Sequence, residues 1–212
     1  MSEAFDEDAI YRWPATEKWE YRTVFHNLDG ELDASPRPDF YAAAKASVGR
    51  LASGKTVAEE EGMAALFLFR HYLELTLKEI VFGARSLERK DKNTPPGMAQ
   101  WPDRHDLWQL WSEAKKQVPV KLGGGVWPQW DHNFAEKCIA EFHALDPSSE
   151  RLRYLWEKKP VERDRLNPLW VAWDELLRAM VHTHDVLEAI DSYLIETHGQ
   201  NADWELEMDS WL

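Results

Sequence analysis

The chain has 212 residues, a hydrophobic fraction of 44% and twelve tryptophans, which is enough to enclose one core, and no low-complexity linker divides it. Its formal charge of −13, from 38 acidic against 25 basic side chains, repels polyanions at long range and argues against general DNA binding, while Arg and Lys gathered in one groove still allow RNA. The lone cysteine, Cys138, excludes an internal disulfide and a Cys-based zinc knuckle, and its spacing predicts a buried thiol on a helix face beside Phe134 and Phe142.

Residues 1–10 are acidic and lack the basic start and apolar run of a signal peptide, so a cytoplasmic location is expected. Residues 13–38 are aromatic and irregular and are expected to wrap the domain, with 19–25 extended and Asn27-Leu28-Asp29-Gly30 a turn. Pro38-Asp39 opens a helix with Phe40, Ala44, Val48 and Leu51 on one stripe, closed by Gly54. Thr56-Val57-Ala58-Glu59 has the capping-box pattern, and the long apolar helix after it is expected to end at Gly83. A polar loop over 84–101 follows, and Asp103 is the expected cap of a shorter helix carrying Leu107, Leu110, Trp111 and Ala114, packed antiparallel to its predecessor.

Gly123-Gly124-Gly125 reads as a hinge, because no strand precedes it and no Gly-Lys-Ser/Thr follows. Asp131 then caps a helix through Phe134, Cys138, Ile139 and Phe142, which must end near Asp146-Pro147 because proline disfavours helical geometry in the residue before it. An ordered loop over 146–154 comes next. Asn167-Pro168 is the expected start of the last helix, running through Trp173, Leu177, Val181 and His184 to about Thr197 and ending at Gly199. The expected fold is therefore an all-α bundle of about five main helices over 39–199, with an irregular segment 1–38 and an acidic tail 200–212 bearing Trp204 and Trp211. The tail is either disordered or a docking peptide, and the tryptophans are expected to fill much of the interior.

The long central helix carries the informative pattern. At about 100° per residue, with Arg70 at zero, Glu74 falls near 40°, Lys78 near 80° and His71 near 100°. Met63, Val81 and Phe67 share that arc, so these charges lie among core side chains and burial is implied. The same interruptions, in the most apolar stretch of the chain, argue against a membrane span. Buried charges require partners, and His105 and Asp106, with Arg153 and Tyr154, are the downstream candidates. Two readings stand side by side: a network that fixes packing, or a functional site.

Three motifs in order, Arg70-His71-Tyr72-Leu73-Glu74-Leu75 with Lys78, His105-Asp106-Leu107 with Leu110-Trp111, and Asp146-Pro147-Ser148-Ser149 with Arg153-Tyr154, resemble those of bacterial helical proteins related to the HEPN superfamily. The resemblance covers roughly residues 56–195. It implies a helical bundle, often a homodimer, of RNA-directed defence or toxin-antitoxin systems, and in many members a metal-independent ribonuclease without a cofactor. The family signature of Arg followed after four to six residues by His, at the dimer interface, matches Arg178 and His184. Ala179 stands where a polar residue usually follows the Arg, and on a regular helix a spacing of six turns the pair about 120° apart, so that His182 is the better neighbour of Arg178. For such a ribonuclease His184 or His71 is the candidate base, Arg178 or Arg70 the candidate cation at the phosphate, and Glu74 belongs with them.

Two rivals come from other classes. A metal enzyme draws on His71, Glu74, His105, His182 and His184, but no His-x-x-x-His or Glu-x-x-His pair supports it, and residues 182 and 184 point about 200° apart. A non-catalytic subunit that binds a protein partner suits the acidity and the tryptophan-bearing tail. Ser-His-Asp chemistry lacks a Gly-x-Ser-x-Gly elbow, and Ser149 follows Ser148 in a turn where hydroxyls commonly bond backbone.

Overall fold

The computed structural model describes residues 36–87, 101–121, 132–154 and 170–209, with side chains described for all of these except 120–121, 153–154 and 198–209. The expected N-terminal wrap up to residue 35, the Gly123-Gly124-Gly125 hinge, the Asp131 cap and the Asn167-Pro168 start lie outside the described residues. Within them the fold is an all-α bundle: α1 (Arg37–Ala52), α2 (Ala58–Leu87), α3 (Leu107–Lys121), α4 (His132–Leu145), the single turn α5 (Arg151–Tyr154) and α6 (Trp173–Asp209). No helix among the described residues is long and apolar enough to cross a membrane.

Helix α1 begins one residue earlier than its Pro38-Asp39 signal, with Pro38 in the first turn, where its missing N–H costs nothing. It ends as expected at Gly54, whose φ of 66° closes a Schellman motif: Lys55 N–H donates to Arg50 O and Gly54 N–H to Leu51 O. Helix α2 is entered differently from the expected box. Val57 supplies the first carbonyl, accepting from Glu60 and Glu61 N–H, and the Thr56 hydroxyl lies 3.4 Å from the Glu60 carboxylate. The helix also passes through Gly83 to Leu87, because a single interior glycine costs only about 1 kcal/mol and Leu194 of α6 packs against that point.

Side-chain pairs give the directions. Arg37 meets Glu79, Phe40 packs on His71, Tyr41 on Tyr72, and Arg50 meets Glu61, so α1 runs antiparallel to α2. Gly62 faces Trp173, Tyr72 faces His184 and Gly83 faces Leu194, a nearly constant offset that makes α6 parallel to α2. Glu74 meets His105 and Arg85 meets Glu113; these pairs advance in the same sense, where the expected antiparallel packing of α3 on α2 would reverse them. Residues 101–106 travel back along α2, Trp101 against Phe82 and His105 against Glu74, so α3 starts partway down α2 and runs in its direction. Trp111 and Lys115 with Glu136, and Asp106 with His143, set α4 antiparallel to α3.

Several local expectations are corrected. Asp106, not Asp103, caps α3, its carboxylate accepting Gln109 N–H at 2.8 Å. On α4 the buried stripe is Ala135, Cys138, Ile139 and Phe142, while Phe134 is exposed. Cys138 is buried as expected, and burial pushes its thiol up to about 11. Helix α6 starts at Trp173 and continues through Gly199 to Asp209, so the helical unit outlasts its expected boundary. Of the tryptophans with described side chains only Trp111 is fully enclosed; Trp101, Trp108 and Trp170 are exposed. Among the described residues the core is built from Phe69, Tyr72, Trp111 and a set of Leu and Ile residues.

Candidate functional site

The arc expected on α2 forms a closed network. Arg70 and Glu74 are 1% and 2% exposed. Arg70 NH1 donates to Glu74 Oε2 at 2.8 Å, NH2 to the carbonyl of His105 at 2.8 Å, and Nε to the carbonyl of Asp146 at 3.1 Å, with Asp146 Oδ2 3.3 Å away. The other Glu74 oxygen, Oε1, accepts from Lys78 Nζ at 3.0 Å and from His105 Nδ1 at 2.6 Å. Two cations and two carboxylates thus neutralise one another in the interior, which is what buried charge requires.

The local sequence explains why each group is there. Residues 70, 74 and 78 follow one another at helical i,i+4 spacing. Asp146 stands where α4 ends; its Oδ1 accepts Arg151 N–H at 3.0 Å and so starts α5, while its carbonyl, free at a helix end, accepts Arg70 and Ser149 N–H. Ser149, buried with φ 62°, turns the chain between them. Asp146 was not among the site residues expected from sequence, although an Asp before Pro at a helix end, in a motif already singled out, was the available signal.

Glu74 is ionised. Burial pushes its carboxyl up, but hydrogen bonds from Arg70, His105 and Lys78 outweigh it and hold it down at about 2. An ionised carboxylate only accepts, so His105 Nδ1 carries the proton between them, and in the neutral ring Nε2 keeps the lone pair. The His105 side chain is 56% exposed, whereas Arg70, Glu74, Lys78 and Asp146 are buried, so the network meets solvent chiefly at this residue. A carboxylate-anchored imidazole open to solvent is equipped to take or give a proton at Nε2.

The remaining expected site residues are dispersed. His71 lies outside the network, half-buried between Phe40 and Phe67, its ring centroid 4.5 and 5.8 Å from theirs. Asp106 serves as the α3 cap and faces His143 at 3.5 Å, not Arg70. Arg153 and Tyr154 fall on α5, with side chains outside the described residues. Arg178 is exposed and paired with Asp174. His184 is half-buried, stacked on Tyr41 at 3.7 Å, with its Nδ1 2.8 Å from the Tyr72 hydroxyl; burial holds its imidazole below the ordinary value against Glu188 and Asp185. Within the chain Arg178 and His184 therefore do not form a pair. His182 packs on Phe134, and among the described residues no three His, Cys, Asp or Glu converge as a metal-ion set.

No protein-family model, no curated protein and no solved structure matches the chain.

Proposed function

We propose that this chain is a HEPN-like helical protein of RNA-directed defence or toxin-antitoxin type that cleaves RNA without a metal, with His105 as its acid–base residue and Glu74 as the group that positions it. One observation carries the reading: an exposed imidazole whose Nδ1 sits 2.6 Å from a buried, ionised carboxylate. The carboxylate fixes the tautomer and steadies the imidazolium, as a buried Asp does for a catalytic His elsewhere. His105 Nε2 takes the proton of a ribose 2′-hydroxyl; O2′ forms a bond to phosphorus while the bond to O5′ breaks, and the leaving 5′-oxygen receives a proton from the imidazolium. The products are a 2′,3′-cyclic phosphate and a 5′-hydroxyl.

Arg70 has no part at the phosphate, since all three of its donor nitrogens are engaged inside the protein; it positions Glu74 and the backbone of His105. The test is cleavage of a labelled RNA by the purified protein and by His105→Asn. Loss of about a hundredfold or more is expected, the usual worth of a general acid–base group, with helical content unchanged because the side chain is on the surface. Rates within twofold of each other overturn the assignment.

A second reading, a non-catalytic subunit that binds a protein partner, draws support from the separation of Arg178 and His184. It is favoured if the wild-type protein cleaves no RNA and co-purifies with a stoichiometric partner.

A further inference from the structure

We propose that Trp101, Arg104 and Trp108, which bracket His105, are the recognition strip for an unpaired RNA strand, the two indoles stacking on bases and Arg104 meeting the phosphate between them. The inference deepens the ribonuclease reading and rests on it for the identity of the strand. Trp101 is 44% and Trp108 37% exposed, in a chain where Trp111 of the same region is wholly enclosed. Both exposed rings are braced from behind. Trp101 lies against Phe82 at 5.5 Å between centroids, and the Lys115 ammonium, tied to Glu136, sits 5.7 Å from the Trp108 ring. A braced, half-exposed indole keeps one face for a ligand at little entropic cost.

Arg104 is exposed and, among the described residues, holds a loose ion pair, 3.6 Å to Glu113 Oε2, while Arg85 engages the other oxygen of that carboxylate at 2.6 Å. Seven peptide steps separate the two tryptophans, with His105 between them in the sequence, and an extended chain of that length spans at most about 25 Å, a distance that one short stretch of strand can bridge.

Charge chooses stacking as the source of affinity. A protein of net −13 gains little from a phosphate backbone, and a single Arg releases few counterions. Indole stacking is insensitive to net charge and accepts any base whose face is free. Paired bases keep their faces inside the helix, so the strip selects unpaired strand over duplex.

The experiment measures binding apart from cleavage, by fluorescence anisotropy of the full chain with a labelled 2′-O-methyl oligonucleotide of about twelve nucleotides, single-stranded or annealed to its complement. Binding of the single strand at least tenfold tighter than the duplex is expected. Trp101→Ala and Trp108→Ala should each weaken it by about five- to a hundredfold, with Trp→Phe recovering most of the loss. The logarithm of affinity should fall against the logarithm of salt with a slope of about −1 or shallower. Equal binding of duplex, no binding of either form, a steep salt slope, or unchanged affinity in both Ala variants overturns the proposal. If the single strand binds through the tryptophans but no RNA is cleaved, the strip stands and the ribonuclease reading falls. If RNA is cleaved with the same KM by the Trp→Ala variants, the strip falls and that reading stands.

Discussion

Replacing Glu74 by Gln keeps the side-chain volume and removes the charge on which Arg70, Lys78 and His105 converge. The displacement of its carboxyl from the ordinary 4.5 to about 2 corresponds to about 3 kcal/mol of stability held in the ionised form. Leaving the Arg70 and Lys78 charges buried with one partner fewer gives a similar figure, about 3–5 kcal/mol. Against a total stability of roughly 5–15 kcal/mol, the variant should lose a large fraction, seen in urea as a midpoint lower by about 1–3 M at an unchanged slope. The pH dependence follows from the sign of the displacement. The folded value lies below the unfolded one, so the contribution is complete above about 4.5 and disappears as pH falls toward 2. Wild-type protein should therefore lose stability across that window, and Glu74→Gln should show a flatter acid limb. A loss under about 1 kcal/mol at neutral pH, or an acid limb identical in the two proteins, refutes the reasoning.

Gly62→Val should destabilise by about 1–3 kcal/mol in the same urea assay, because even a methyl group at 62 would lie 3.2 Å from the Trp173 ring. Tyr72→Phe removes the hydroxyl at His184 Nδ1 and should cost about 1 kcal/mol; titration of His184 by NMR should shift in the variant, and an unchanged His184 signal refutes the contact. Arg178→Ala, at a side chain 72% exposed, should leave stability within about 0.5 kcal/mol and, if His105 is the base, leave RNA cleavage unchanged; abolished cleavage returns the chemistry to Arg178 and His184.

The part of the site built on one helix was legible in the sequence. Helical periodicity placed Arg70, Glu74 and Lys78 on one arc among Met63, Phe67 and Val81, and the structure buries all three charged groups. It also placed His71 at the edge of that arc, and there the reading failed: a single step of about 100° carries the ring onto Phe40 of α1. The partners that complete the network are 31 to 76 residues from those they meet, and nothing local says which polar group will arrive. His105 and Asp106 illustrate the limit, since adjacent residues of one motif are divided between the network and a helix cap. A single glycine marked the end of α1, where Gly54 takes a positive φ, but not of α2 or α6, which run on through Gly83 and Gly199, because a glycine in helical geometry costs the helix only about 1 kcal/mol. Composition counts large side chains but does not say where they go: of the five tryptophans whose side chains are described, three lie on the surface.

Stability alone gives a weak account of such a network. Replacing buried ion pairs by apolar side chains of similar volume is often neutral or stabilising, and α2 already buries Leu66, Phe69, Leu73 and Leu77 along the same stretch. If the network served only to fix packing, Arg70→Met, Glu74→Leu and Lys78→Met combined with Asp146→Asn, which removes the second buried charge but keeps an acceptor for Arg151 N–H, should restore most of what Glu74→Gln loses. If it also serves to hold His105, that combined variant should fold and bind the single strand through its tryptophans yet cleave no faster than His105→Asn. Recovery of both folding and cleavage would reduce Glu74 to a structural group and leave His105 to act without a carboxylate to position it.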